Sequence, residues 1–261
     1  MTLRFIRGEL LRHIFHLRFL IIMLLMVVLS LCVILVLPLR GGARFAGSLT
    51  LAQGLWLSLV LPIIAGVVAA GSLAEDRRSG YTWLVLAQGL SRRQYVLSKA
   101  VVMSLTAVLV ALIGYSCFFI GAALTLPWGD SIVPRGEGGS LLPIPGPVPD
   151  LFLTNPLLND LLGVGMLIVA TGVLALIGLP AGSLTSNIYI VSALPFVLFI
   201  VGLYSLTGAF AIINPYTYLD VWWDYKMVVP ESALVYAGFV YWLSIGMALI
   251  VSGVLFFEYC E

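Results

Sequence analysis

Hydrophobic residues in this chain come in long unbroken runs. They follow neither the alternation of half-buried strands nor the three-and-four spacing of a surface helix. Six runs, at about 19–39, 51–73, 100–126, 157–180, 187–210 and 234–257, are almost empty of Asp, Glu, Lys, Arg and His, with Asp160 at the edge of the fourth as the exception. About 20 apolar residues of helix cross a hydrocarbon layer about 30 Å thick. Within lipid the backbone must satisfy its own polar groups, which leaves helices or closed barrels. Continuous runs, not a two-residue alternation, reject the barrel. The pattern predicts an all-α integral membrane protein with six transmembrane helices, forming one membrane domain over residues 19–261.

Composition agrees with that pattern. The chain has 261 residues, is 61% hydrophobic and 10% charged, and has a mean hydropathy of +1.12. A soluble domain carries about 25% charged residues. The formal net charge of +1 provides no basic field, so nucleic acid is not an expected partner. Of the three cysteines, Cys32 and Cys117 lie inside apolar runs and Cys260 is next to last. There is no CxxC, so neither a disulfide framework nor a metal site is expected. The first run follows Arg4, Arg7, Arg12 and Arg18 and is long enough to span, so it reads as a retained span and not a cleaved signal peptide.

The positions of the Lys and Arg residues set the orientation. Nine of the thirteen fall in the N-terminal segment (Arg4, Arg7, Arg12, Arg18) and the second connection (Arg77, Arg78, Arg92, Arg93, Lys99). Arg40, Arg44, Arg135 and Lys226 fall on the opposite side. This split places both termini in the cytoplasm and the protein, multi-pass, in the inner (cytoplasmic) membrane of the cell. Residues 1–18 have two readings. Leu3, Ile6, Leu10, Ile14 and Leu17 form a helical stripe with arginines, His13 and His16 on much of the remainder, the pattern of an amphipathic interfacial helix. The alternative is a positively charged flank that only fixes orientation.

Between the second and third runs lies a short charged segment. Glu75-Asp76-Arg77-Arg78-Ser79-Gly80 follows the second run directly. Gly80 can break a helix, and Tyr81 to Leu90 suits a short segment at the interface. Ser91 is a favourable N-cap for a helix running from Arg92 through Lys99 into the third run. The layout is span, break, surface helix, turn, span, and a soluble protein pressing on it would act on two spans at once. The alternative is that Arg77, Arg78, Arg92 and Arg93 only hold topology and meet anionic headgroups.

This segment resembles the corresponding part of type-2 ABC transporter permeases. The resemblance is carried by Glu75, Gly80, Tyr81 to Leu86, Ser91-Arg92, Tyr95 and Lys99, in that order, with Gly89-Leu90 where the family often has a proline. The six-run layout and the aromatic-rich last outer connection also match. The resemblance implies a coupling helix that docks on a separate ATP-binding cassette subunit, with Glu75, Arg77, Arg78, Gly80, Tyr81, Arg92 and Arg93 in that contact. It also implies a second permease copy, identical or different, and export along the interface between the two. This chain has no GxxxxGK[ST] phosphate loop. It is therefore not expected to be an enzyme or to hold a cofactor, and ATP and magnesium belong to the partner.

Catalytic motifs are otherwise missing: there is no GxSxG and no HExxH. His13 and His16 sit one helical turn apart, with only Glu9 nearby as a third metal ligand, and read as an interfacial pair. Ser104, Thr106, Tyr115, Ser116, Thr171 and Ser192 either line a path or bond to their own helices. The small residues Ala65-Gly66, Ala69-Ala70-Gly71, Gly163, Gly165, Gly172 and Gly178 suit close helix packing. The Pro- and Gly-rich connection 127–156 predicts irregular backbone. The substrate class this suggests is apolar or amphipathic. The alternative function is a non-transport integral subunit that anchors or assembles a respiratory or cofactor-maturation complex.

Overall fold

The computed structural model describes residues 2–36, 58–125, 154–205, 213, 218 and 234–260. Every regular element among them is helical. In chain order these are α1 (Thr2–Ile14), α2 (Leu17–Val36), α3 (Ser58–Ala65), a π-helical turn (Gly66–Ala70), α4 (Ser72–Ser79), α5 (Tyr81–Ala87), α6 (Arg92–Thr125), α7 (Pro156–Ala175), α8 (Gly178–Leu184), α9 (Ile188–Ser205) and α10 (Leu234–Cys260). Connection 127–153, the first connection around Arg40 and Arg44, and Trp222, Trp223 and Lys226 lie outside the described residues.

Among the described residues, three stretches are long and apolar enough to cross a membrane: Arg92–Gly121, Leu161–Leu184 and Tyr236–Tyr259. Leu3–Ile14 and Leu17–Cys32 form a pair bent by 58° that together pass the same test. Apolar helices of this kind are compatible with a multi-pass membrane protein. The third apolar run begins its helix at Arg92, earlier than hydropathy places it. There Ser91 and Gln94 cap each other: the Gln94 N–H donates to Ser91 Oγ and the Ser91 N–H to Gln94 Oε1, both at 3.3 Å. This reciprocal arrangement satisfies donors that a helix start leaves open. At α7, Asn155 Oδ1 accepts from the Leu158 N–H at 3.2 Å, and Pro156 takes the first helical position.

The core runs the length of the bundle through α6 (Met103, Ala107, Val110, Ala111), with α7 (Leu167, Ala170, Leu174) and α2 (Phe19, Met26) against it. Small residues allow two of the closest crossings. Gly66 lies against the main-chain carbonyl of Ser192 and Gly178 against the backbone of Ala70, where an added Cβ would overlap main-chain atoms. Gly165, by contrast, faces open space. Hydroxyls inside the helices turn back on their own backbones. Thr106, Ser116 and Thr171 each donate to the carbonyl four residues earlier, at 2.7–2.8 Å. For these three residues that is the self-satisfied reading of the sequence. From the aromatic-rich fifth connection, Tyr218 is buried and stacks on Tyr241 at 3.9 Å.

Candidate functional site

Charged and hydroxyl side chains collect at one end of the bundle, where α1, α4, α5 and the start of α6 meet. Lys99 is the centre. Its side chain is wholly buried and its Nζ reaches Glu9 on α1, Asp76 Oδ2 on α4 at 2.5 Å and Ser72 Oγ at 3.2 Å. Arg12 supplies a second positive charge, with Nη2 at 2.7 Å from Asp76 Oδ1 and 3.0 Å from Glu9 Oε2. Two carboxylates and two cations thus form an electroneutral set. Hydroxyls complete it: Tyr95 donates to Asp76 Oδ2 at 2.7 Å and Tyr81 to Glu9 Oε1 at 2.9 Å. The Arg12 guanidinium also lies over the Tyr81 ring, 4.5 Å from its centroid.

Why such a cluster survives burial follows from charge energetics. An isolated buried charge costs several kcal/mol, and only close, fully hydrogen-bonded counter-charges offset that. Burial alone would raise the Asp76 carboxyl, but the Lys99 charge and hydrogen bond, with Arg12, hold it below the usual carboxylate range. For His13, burial and then the positive charges of Lys99 and Arg12 push the imidazole down to about 3. His13 is therefore neutral, and its Nε2 lies 2.9 Å from Ser72 Oγ. Since Ser72 Oγ accepts from Lys99, its own proton points to His13, which places the ring proton on Nδ1.

The inward edge of α1 is Phe5, Glu9 and His13, at i, i+4 and i+8. Of the apolar stripe, Ile6, Leu10 and Ile14 are half-buried, and Leu3 and Leu17 are exposed. Phe5 packs on Tyr95 with centroids 6.1 Å apart, and Phe257 of α10 packs on the other side at 5.7 Å.

The residues picked from sequence divide into two groups. Glu75 is half-buried and pairs with Arg18 at 3.1 Å; the carboxylate that meets Lys99 is its neighbour Asp76. Arg77 donates to the carbonyls of Gly182 and Ser183 at 2.8 and 2.6 Å, closing the C-terminal end of α8. Arg93 pairs with Glu258 at 2.5 Å, and Arg92 reaches the Glu258 carbonyl at 3.4 Å, so both hold the end of α10. Gly80 has φ of 75°, which turns the chain from α4 into α5. Tyr81 is in the cluster, whereas Arg78 is exposed.

On α5, Thr82 and Val85 are buried while Trp83 and Leu84 are 58% and 64% exposed. Sequence reasoning overlooked Glu9, Arg12, Asp76, Tyr95 and Lys99 as a unit. One signal was available: Lys99 is a charge that helical spacing places between Tyr95, Val96, Val102 and Met103. Among the described residues no three His, Cys, Asp or Glu side chains converge as a metal site. In comparisons with known proteins, the chain matches no family model and no curated sequence.

Proposed function

We propose that this chain is the membrane-spanning subunit of an ATP-driven transporter of the type-2 ABC kind, and that α5 is the surface it offers to a separate ATP-binding subunit. The observation that carries the reading is the two-sidedness of α5. One face, Tyr81, Thr82 and Val85, is fastened into the bundle, and the other presents a bare Trp83-Leu84 pair. An exposed Trp beside a Leu gains most by being covered, and such aromatic anchors carry much of the energy of protein interfaces. Because the fastened face is bonded to α1 and lies beside α4 and α6, a push on α5 moves all three.

In this reading Trp83, Leu84 and Arg78 touch the partner. Arg77, Arg92, Arg93 and Tyr81 keep the surface in place, and Glu75 flanks it. The partner holds ATP and magnesium. A second permease copy completes the path, the substrate is apolar or amphipathic, and transport is outward. Six crossings with both termini in the cytoplasm belong to the same proposal and rest on the nine-to-four distribution of Lys and Arg.

The test is recovery of the tagged chain from its own membranes in gentle detergent, with mass spectrometry of its companions. A P-loop ATPase near one per permease is the expected companion. Replacing Trp83 with Ala and Leu84 with Asp should weaken that association about 30-fold or more, from a loss of about 2 kcal/mol or more at an interface anchor. The thermal unfolding midpoint should hold. Redox or assembly proteins in place of an ATPase would establish the anchoring alternative and end the transport reading.

A further inference from the structure

A cleft of about 250 Å³ opens between the α1–α2 bend and the stretch formed by the π-helical turn and α4. Its walls change character along their length. On one side Val67, Gly71, Glu75 and Ser79 line it in succession, from apolar to charged over roughly 18 Å. On the other side Phe19 gives way to Arg18 and His16. Beyond the cleft the outer face of α2 is apolar, with Leu20, Ile21 and Leu24 all more than half exposed.

We propose that this cleft seats the headgroup of a phosphoethanolamine lipid, with phosphate against Arg18 and His16, ammonium against Glu75, and acyl chains along the outer face of α2. The inference rests on α2 lying in a membrane and is independent of the ATPase-coupling reading.

The chemistry follows from which charges are accessible. Arg12 and Asp76 also line the cleft, but they are paired with each other at 2.7 Å within the cluster. Arg18 and Glu75, paired at 3.1 Å with side chains 44% and 38% exposed, are the cleft charges outside it. An exposed pair of this kind is worth only about 0–1 kcal/mol, so a ligand that satisfies both partners separates it at little cost. A purely anionic headgroup gains Arg18 but meets Glu75. A zwitterion satisfies both.

His16 adds a donor. Its Nδ1 accepts from the Arg18 N–H at 3.2 Å, which leaves Nε2 as the ring's N–H donor. Ethanolamine is favoured over choline because its ammonium has N–H groups to give to the Glu75 carboxylate, and a trimethylated nitrogen has none. The gradient from charged to apolar wall matches the boundary between headgroup and acyl chain, where amphiphiles lie.

The experiment uses the full chain, delipidated in detergent and titrated separately with dioleoyl phosphatidylethanolamine, phosphatidylcholine and phosphatidylglycerol. Adducts are counted by native mass spectrometry and unfolding midpoints are measured alongside. The expected result is that phosphatidylethanolamine adducts persist and raise the midpoint most. Glu75→Gln should reduce phosphatidylethanolamine affinity to the phosphatidylcholine level, about tenfold. Arg18→Gln should weaken both zwitterionic lipids together.

Both variants alter an exposed pair, so their lipid-free midpoints should match the parent. Soluble O-phosphoethanolamine should give no shift. Equal response to the three lipids, or a Glu75→Gln protein that keeps its preference, overturns the proposal. If O-phosphoethanolamine matches the lipid, the ligand is a free amine phosphate and the lipid assignment is wrong.

Discussion

Lys99 has no water to fall back on. Its charge is balanced by Glu9 and Asp76 alone among the carboxylates around it, so Lys99→Met should leave two buried carboxylates to share Arg12. Removing one member of a buried ion set costs about 3–5 kcal/mol. The variant should show a thermal midpoint far below that of Glu75→Gln, which touches only an exposed pair. Acid should act in the same place. The folded-state pKa of His13 is depressed to about 3 from 6.5, so a released α1 binds a proton that the docked α1 refuses. Stability from this group is therefore full above about pH 6.5 and declines as pH falls from there toward 3. Asp76, also depressed, adds a loss of the same sign below its unfolded value near 3.8. Unfolding midpoints measured from pH 7.5 to 4.5 should fall, and His13→Asn should flatten the upper part of that decline. At this scale the sequence was legible in kind but not in identity. It showed a charged segment beside a Lys, yet one helical residue, about 100° of rotation, separates Glu75 from Asp76, and hydropathy does not report which of two adjacent acids points inward.

At the scale of elements, apolar run length located α2, α6, α7, α9 and α10 without help from tertiary contacts, because lipid requires continuous helix. Their ends were harder. Hydropathy alone would start α6 near residue 100; Ser91, read as an N-cap, marked its start at Arg92, because side-chain capping decides where a helix begins. The π-helical turn at Gly66–Ala70 and the break between α7 and α8 have no signature in a hydropathy pattern; they arise where the backbones of Ala70, Gly178, Gly66 and Ser192 meet. Two substitutions follow. Gly80→Ala forces a Cβ into a φ of 75° and should cost about 1 kcal/mol, read as a lowered midpoint with α5 more open to hydrogen exchange. Gly178→Leu should be far worse, since it drives side-chain atoms into the backbone of Ala70, and its expected result is loss of the monodisperse protein in detergent. If Gly178→Leu purifies with the parent midpoint, the crossing of α8 over the π-helical turn is not as tight as described.

At the scale of the whole molecule, α1, the α5 elbow and the end of α10 all gather at one end of the bundle through Glu9–Lys99, Tyr95–Phe257 and Arg93–Glu258. Charge reversal at Arg93 would therefore disturb any partner contact there and also free the last turn of α10. Faster amide exchange over 255–260 is the expected companion of any loss of binding. Trp83 and Leu84 avoid that confusion because their side chains are mostly exposed. The ion cluster also constrains how the protein is made. Glu9 is synthesised 90 residues before Lys99, so at about 5–20 residues per second it waits roughly 5–18 s for its counter-charge. Until the third apolar run emerges, α1 has no seat on the bundle and must stay in contact with water or headgroups. Nascent chains arrested before residue 99 should thus leave a cysteine at position 9 open to a water-soluble maleimide, and chains arrested well beyond it should protect that cysteine. α1 thus depends for its seat on a residue made 90 positions later.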